Sequence, residues 1–298
     1  DLNLTNAIFE YGEADKYDSA GNSFGGAILN IDDGITNPTV IIKNSTFKDN
    51  IAKYGGAIYS FAGTVNIEDS LFFHNVANDY GGAIACEYDV NLNIRNTVFQ
   101  HCSGTRNAGG AIYIRESNAN ITDSTFQYNS GTFGGAICDL NSTVEIFNSR
   151  FEDNLANYSG GAVYKMYGDI TINSSNFINN NAKDGGAVLV DNSTFTLTNN
   201  EFKNNIAEKG EDVYSIMNIK ETFAGNSMND FYNTTELNIN FESGDYMTFK
   251  YTPTIIETIP DYYSLVDEGY CTPVKDQQNS GNCWAFTQIA VLESCILI

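Results

Sequence analysis

Positive charge is scarce in this chain of 298 residues: 15 Lys and Arg stand against 37 Asp and Glu, for a net charge of −22. A surface that negative repels phosphate backbones, so nucleic acid is excluded as an expected partner. Histidine is nearly absent, with only His74 and His101, which stand apart and have no partner at metal-ligand spacing. No metal centre is expected from them, and both read as surface residues. No apolar run reaches the roughly 18 residues needed to cross a bilayer, so no membrane segment is expected within the chain. No cofactor is expected either. The chain begins at Asp1 rather than Met, shows no signal peptide and stops at Ile298 inside an apolar run, so both ends read as cut.

Asparagine is abundant: 39 residues, 37 of them before residue 241, beside 26 Gly, 19 Phe and 18 Tyr. Excess Asn and Gly can mark disorder, but a composition that is 42% hydrophobic and 13% aromatic argues for an ordered core. Length alone suggests roughly two domains.

The order of these residues is periodic. The tetrad Gly-Gly-Ala-Ile/Val begins at Gly25, Gly55, Gly81, Gly109, Gly134, Gly160 and Gly185, with a degenerate Gly-Glu-Asp-Val at Gly210. Phe47, Phe72, Phe99, Phe126, Phe151, Phe177 and Phe202 keep step with it. Asn follows three residues later at Asn50, Asn75, Asn129, Asn154, Asn180 and Asn205, and Cys102 takes that place once. Between these landmarks run short alternating stretches such as Val144-Glu145-Ile146 and Ile170-Thr171-Ile172, the period of a strand. No unit carries helical periodicity over the roughly 10–12 residues a helix needs. Three short strands and three turns consume about 25 residues, one coil of a parallel β-helix.

The expected fold is therefore all-β: a right-handed, single-stranded parallel β-helix over residues 1–225, then a connector over 226–259. Ile58, Ile84, Ile112, Ile137, Val163, Val188 and Val213 should stack inward, and the Phe series should form a second inward column. The glycine pair should supply a corner, and the Asn series a ladder at another corner, with Asn itself in the left-handed conformation. Glu211 and Asp212 in the last tetrad suit a polar terminal cap. Cys86, Cys102 and Cys138 fall at unlike positions of their coils, so buried thiols are expected rather than disulfides. No calcium-binding β-roll pattern (Gly-Gly-x-Gly-x-Asp) occurs, and no coil reads as carrying a large inserted loop. Eight Asn-x-Ser/Thr sequons, at Asn3, Asn44, Asn120, Asn141, Asn157, Asn173, Asn192 and Asn233, point toward a secreted context.

The run from Ile172 to Ala182 followed by Gly185-Gly186-Ala187-Val188 resembles the β-helix repeats of surface adhesin-like proteins. These are common in methanogenic archaea and similar to the polymorphic outer-membrane protein repeats of bacteria. The resemblance implies an extracellular or cell-surface stalk, with cell-surface glycans or host or partner-cell proteins as possible partners. It implies little about chemistry.

Beyond Pro260 the text changes to Thr272-Pro273-Val274-Lys275-Asp276-Gln277, then Ser280-Gly281-Asn282-Cys283-Trp284-Ala285-Phe286. Ala285, Ile289, Leu292 and Ile296 form one apolar helical stripe, so Cys283 should open a helix. A helix N-terminus favours thiolate, the nucleophilic form. Gln277 lies upstream across a glycine-containing loop that could return its amide toward the sulfur as an oxyanion donor.

These residues resemble the N-terminal catalytic segment of papain-family cysteine peptidases. The resemblance implies Cys283 as nucleophile, Gln277 as oxyanion donor and a peptide or protein substrate. Residues 260–298 would be the opening of a truncated α+β domain with one helix. The chain departs from the family pattern at Ser264 and Val266, at Gln278, and at Ser280, where the family usually has a disulfide-forming Cys. Cys295 lies about 18 Å along the helix from Cys283 and cannot pair with it, and a Cys271–Cys295 bridge stays open. The family's His and Asn lie about 130–150 residues after the Cys. Neither His74 nor His101 can serve, so this chain is expected to be inactive alone. The competing expectations are a non-catalytic surface adhesin or binding stalk and, last, polysaccharide cleavage on the β-helix.

Overall fold

The computed structural model describes residues 1–14, 21–32, 37–106 and 109–234, together with the backbone of two further strands, Glu236–Asn240 and Tyr246–Lys250. All of them belong to one compact unit, Asp1–Lys250. Every regular element among the described residues is a β-strand. The helix expected from Cys283 onward lies outside the described residues.

Each coil pairs in parallel with the next, and the landmarks stack on themselves. Ile58 faces Ile84, then Ile112, Ile137, Val163, Val188 and Val213 in unbroken register. Phe9, Phe47, Phe72, Phe99, Phe126, Phe151, Phe177 and Phe202 form a second column. The result is a long face of 13 strands, a Phe-bearing face of 8 and a third face of 5. The strands Glu236–Asn240 and Tyr246–Lys250 form a separate antiparallel pair.

The Phe column is the clearest packing element. From Phe47 to Phe177 neighbouring ring centroids are 4.8 Å apart, with interplanar angles of 10° or less. That spacing is the distance between hydrogen-bonded strands, so ring stacking and the backbone ladder share one repeat. Each of these rings is fully buried, and each contributes roughly 1.5–3 kcal/mol by burial. The Ile/Val column lies in the same core.

The corners differ from the expected three. A full coil has four left-handed positions: Gly134, Asn141, Asn148 and Asp153, then Gly160, Tyr167, Ser174 and Asn179, then Gly185, Asn192, Asn199 and Asn204. The extra corner bends the long strand, as at Asn141 within Ile137–Phe147. At the Phe corner the left-handed residue is not the Asn of the series but the one before it, such as Asp49, His74, Tyr128 or Asp153. The Asn itself points inward and is buried. The physical reason lies in the alternation: one left-handed residue turns the chain, and the next side chain then falls on the inner side.

That inward residue meets a specific need. Its N–H donates to a side-chain oxygen of the following coil. Asn129 N donates to Asn154 Oδ1 at 3.0 Å, and Asn154 N to Asn180 Oδ1 at 3.1 Å. The Asn amides complete the column: Asn154 Nδ2 donates to Phe126 O at 2.9 Å and to Asn180 Oδ1 at 3.0 Å. A parallel column of Ser and Thr does the same work at the preceding corner. Ser70 N donates to Thr97 Oγ1, Thr97 N to Ser124 Oγ and Ser124 N to Ser149 Oγ, at 3.2–3.4 Å. The remaining corner is the glycine pair. Gly134 is left-handed (φ +63°), and a Cβ on Gly135 would sit 2.1 Å from Gly161 O in the next coil.

Both ends of the stack depart from the regular coil. The first coil is long, with Phe9 pairing Phe47 and Gly12 N bonding Asn50 Oδ1 across 38 residues. This corrects the expectation that no coil carries a large insertion. At the other end Asp212, fully buried, accepts from Asn205 Nδ2 at 3.0 Å and from Asn229 N at 2.6 Å. It thereby terminates the Asn column and holds the returning chain. Parallel pairing continues with Phe231–Thr234 on Val213–Ile216, within the span expected as connector.

Asn154→Ala removes the acceptor of Asn129 N and the donor to Phe126 O while leaving both buried. Unfolding in urea should show a loss of about 3 kcal/mol, because each buried group left unsatisfied costs roughly 1–3 kcal/mol. Glu145→Ala on the exposed side of the same coil should stay within about 0.5 kcal/mol of the parent.

Candidate functional site

The sequence-derived catalytic pair, Cys283 and Gln277, lies outside the described residues, as do Cys271 and Cys295. The described thiols are of another kind. Cys86, Cys102 and Cys138 are free and buried. Burial pushes the Cys102 thiol up to about 12 and the Cys138 thiol well above its ordinary range. Cys102 occupies an Asn place in the ladder: its N donates to Asn129 Oδ1 at 3.0 Å and its Sγ donates to Phe72 O at 3.6 Å. These thiols substitute for core groups and carry no nucleophile.

The two histidines are neighbours in space, contrary to the expectation that they stand apart. Both follow the column Phe by two residues, on adjacent coils. His74 Nδ1 lies 2.5 Å from Asp49 Oδ1, and the His101 ring stacks on Tyr128 at 5.1 Å. Their surface exposure is as expected. Among the described residues no group of three His, Cys, Asp or Glu could hold a metal ion.

Since the inward positions are filled by the columns, the outward residues of the long face are what a ligand could meet. Four coils form a shallow groove of about 280 Å³ there, with Lys43, Asn66, Glu68, Asn93, Arg95 and Thr122 in its lining. Lys43 Nζ lies 3.0 Å from Glu68 Oε2, and Arg95 pairs with the other oxygen of Glu68. Asn93 Nδ2 donates to Asn66 Oδ1 at 3.0 Å. The strip offers amide and charged hydrogen-bonding groups to a polar ligand. Glu68 is the one carboxylate in the lining and is held by two cations. Hydrolysis of glycosides ordinarily needs a facing pair of carboxylates, so this groove suits binding rather than cleavage.

A second cluster lies outside the core at the glycine corner. Tyr59, Tyr80 and Tyr113 pack there with Phe24, Tyr54, Phe133 and Tyr164. Glu87, itself buried, accepts from Tyr59 Oη at 2.8 Å and Tyr80 Oη at 2.9 Å. Burial first, and Glu87 second, push both phenols above their ordinary range. Sequence reasoning missed this outer cluster, although its signal is simple: an aromatic precedes the glycine pair at Phe24, Tyr54, Tyr80 and Phe133, and Tyr follows the tetrad at Tyr59, Tyr113 and Tyr164. It also missed Asp139 and Lys165, which pair with each other inside the core at complete burial.

A continuous stack of parallel coils around one apolar interior defines the class, a β-solenoid. Residues 74–228 match the family described as the right handed beta helix region, just over half of the chain. The chain belongs to that right-handed β-helix family. Residues 44–60 also match the Chlamydia polymorphic membrane protein repeat. No curated protein and no solved structure matches the chain.

Burial and raised thiol pKa together make Cys86, Cys102 and Cys138 unreactive in the folded state. Iodoacetamide at pH 8, followed by peptide mass mapping, should leave all three unmodified in native protein and alkylate all three in denaturant.

Proposed function

We propose that the chain is part of a cell-surface protein in which the β-helix is a stalk and display surface. The observation that carries this reading is the division of the coil: its inward groups are committed to stacked columns, while the outward positions of the long face carry Asn66, Glu68, Asn93, Arg95 and Thr122. All eight sequon asparagines are exposed or half-buried, on the side where glycans could be attached. The match of residues 44–60 to the Chlamydia polymorphic membrane protein repeat supports a surface location. The net charge of −22 suits a solvated surface. The outward polar groove gives such a stalk a place to hold cell-surface glycans or proteins of a partner cell.

A second reading rests on the segment Thr272-Pro273-Val274-Lys275-Asp276-Gln277 to Cys283-Trp284-Ala285-Phe286. In this reading the β-helix carries a papain-like cysteine peptidase. Cys283 attacks the scissile carbonyl as thiolate, Gln277 and a backbone N–H stabilise the oxyanion, and a His supplied beyond Ile298 acts as base. A protein extended through the downstream gene sequence tests it with a fluorogenic peptide. Cys283→Ala should abolish turnover, and Gln277→Ala should lower kcat about 10²–10³-fold, the cost of one oxyanion donor. Turnover that survives Cys283→Ala, or an extended protein without turnover, leaves the non-catalytic stalk as the reading. Antibody labelling of intact, unpermeabilised cells tests the location: the β-helix should be accessible, and labelling only after lysis would overturn the surface assignment.

A further inference from the structure

One coil pair breaks the apolar interior. The third residue after the glycine pair's Ala is Ile114, Asp139, Lys165 and Val190 on four consecutive coils, facing each other in register. All four are fully buried. Ile114 and Val190, above and below, belong to the apolar core. Lys165 Nζ contacts Asp139 Oδ2, and also lies 2.5 Å from the Ser142 carbonyl oxygen. Asp139 Oδ1 is buried with no hydrogen-bond partner.

An ion pair is poorly served there. Two charges sit between Ile and Val with one carboxylate oxygen unsatisfied, and burying such a pair costs more than its attraction returns unless every remaining group is bonded. Burial pushes the Asp139 carboxyl up to about 6 and the Lys165 ammonium below its ordinary value, so both shifts lower the cost of moving a proton from ammonium to carboxylate. The product of that transfer is a neutral amine held against a neutral carboxylic acid. Two reactants fixed in contact have an effective concentration far above any in solution.

We propose that Lys165 and Asp139 condense into an intramolecular amide that covalently joins two adjacent coils. Lys165 Nζ attacks Asp139 Cγ, and the Nζ–Cγ bond forms. A proton passes from nitrogen to the departing oxygen, the Cγ–O bond breaks, and one water leaves. Ammonium and carboxylate become amide and water, with no oxidant, reductant or further reactant. The contacts already present suit the product. The single remaining N–H points to the Ser142 carbonyl, and the unpartnered oxygen becomes a neutral amide oxygen rather than a buried anion.

Intact mass and tryptic mapping of the purified full chain test this. The mass should be one water below that of the sequence. Trypsin should yield a branched peptide in which residues 116–150 are joined to residues 151–183, with no cleavage after Lys165. Lys165→Met, which cannot form the amide, should have the full sequence mass. A wild-type chain of full mass, or one that gives Asp139 and Lys165 in separate linear peptides, overturns the proposal. Loss of water in Lys165→Met at the same site does so too. Should that variant fail to fold, the wild-type peptide map decides alone.

Discussion

At the Ser/Thr and Asn corners, unlike the glycine corner, the N–H of the residue that follows the left-handed position donates to a side chain rather than to a backbone carbonyl. A Ser, Thr or Asn oxygen from the next coil is the acceptor, as Ser149 Oγ is for Ser124 N and Asn180 Oδ1 for Asn154 N. The other regularities depend on this bond. It lets the chain turn sharply with its backbone satisfied in a water-free interior, where an orphan donor costs roughly 1–3 kcal/mol. It also fixes register, because the donor coil must place its corner directly against the acceptor coil. Apolar burial of the Phe and Ile/Val columns drives coils together, but it is tolerant of a slip along the stack. The corner bonds are not.

Substitutions within the columns make sense on this basis. Cys102 keeps the donor function of an Asn through its thiol to Phe72 O but offers weaker acceptance, and the column resumes at Asn129. Asp212 keeps the acceptor function and redirects it to Asn229 and Asp230, which is what a terminal coil without a successor of the same kind requires. Asn200 and Asn226 extend the Ser/Thr column with the same logic, Asn200 N donating to Asn226 Oδ1 at 2.9 Å. What is held constant is an oxygen at one height in the coil rather than a residue type.

That distinction explains what was legible in the sequence. Gly-Gly-Ala-Ile/Val and Phe recur as letters, because only glycine tolerates the close approach to the next carbonyl and only one ring size fills the column. The solenoid, its inward Ile/Val and Phe columns and its buried thiols could therefore be read in advance. The Ser/Thr column was not read, because Ser45, Thr97, Ser149 and Asn200 share an acceptor atom and not a name. The fourth corner was hidden for a similar reason: its left-handed residue is Glu116, Asn141, Tyr167 or Asn192, with no common chemistry. His74 and His101 look unrelated until the register sets them on neighbouring coils. Asp139 and Lys165 occur once each, and a method that searches for recurrence passes over them. Cys283 and Gln277 are legible in the opposite way, by a local motif that owes nothing to the repeat.

The division between inside and outside also constrains where activity can reside. A catalytic group needs access to solvent and a protonation state matched to its task. The interior offers neither: its thiols are raised out of the thiolate range by burial, and its amides are saturated by the columns. The outer groove has access, but its Glu68 is fixed between Lys43 and Arg95 and has no second carboxylate opposite. A flat face with the same residue height repeated every coil is instead suited to many weak, equally spaced contacts with an extended polar partner. Affinity on such a surface grows with the number of coils engaged rather than with the quality of any one site. The repeat architecture thus spreads its outward polar contacts along its length, and this groove holds no pair of facing carboxylates.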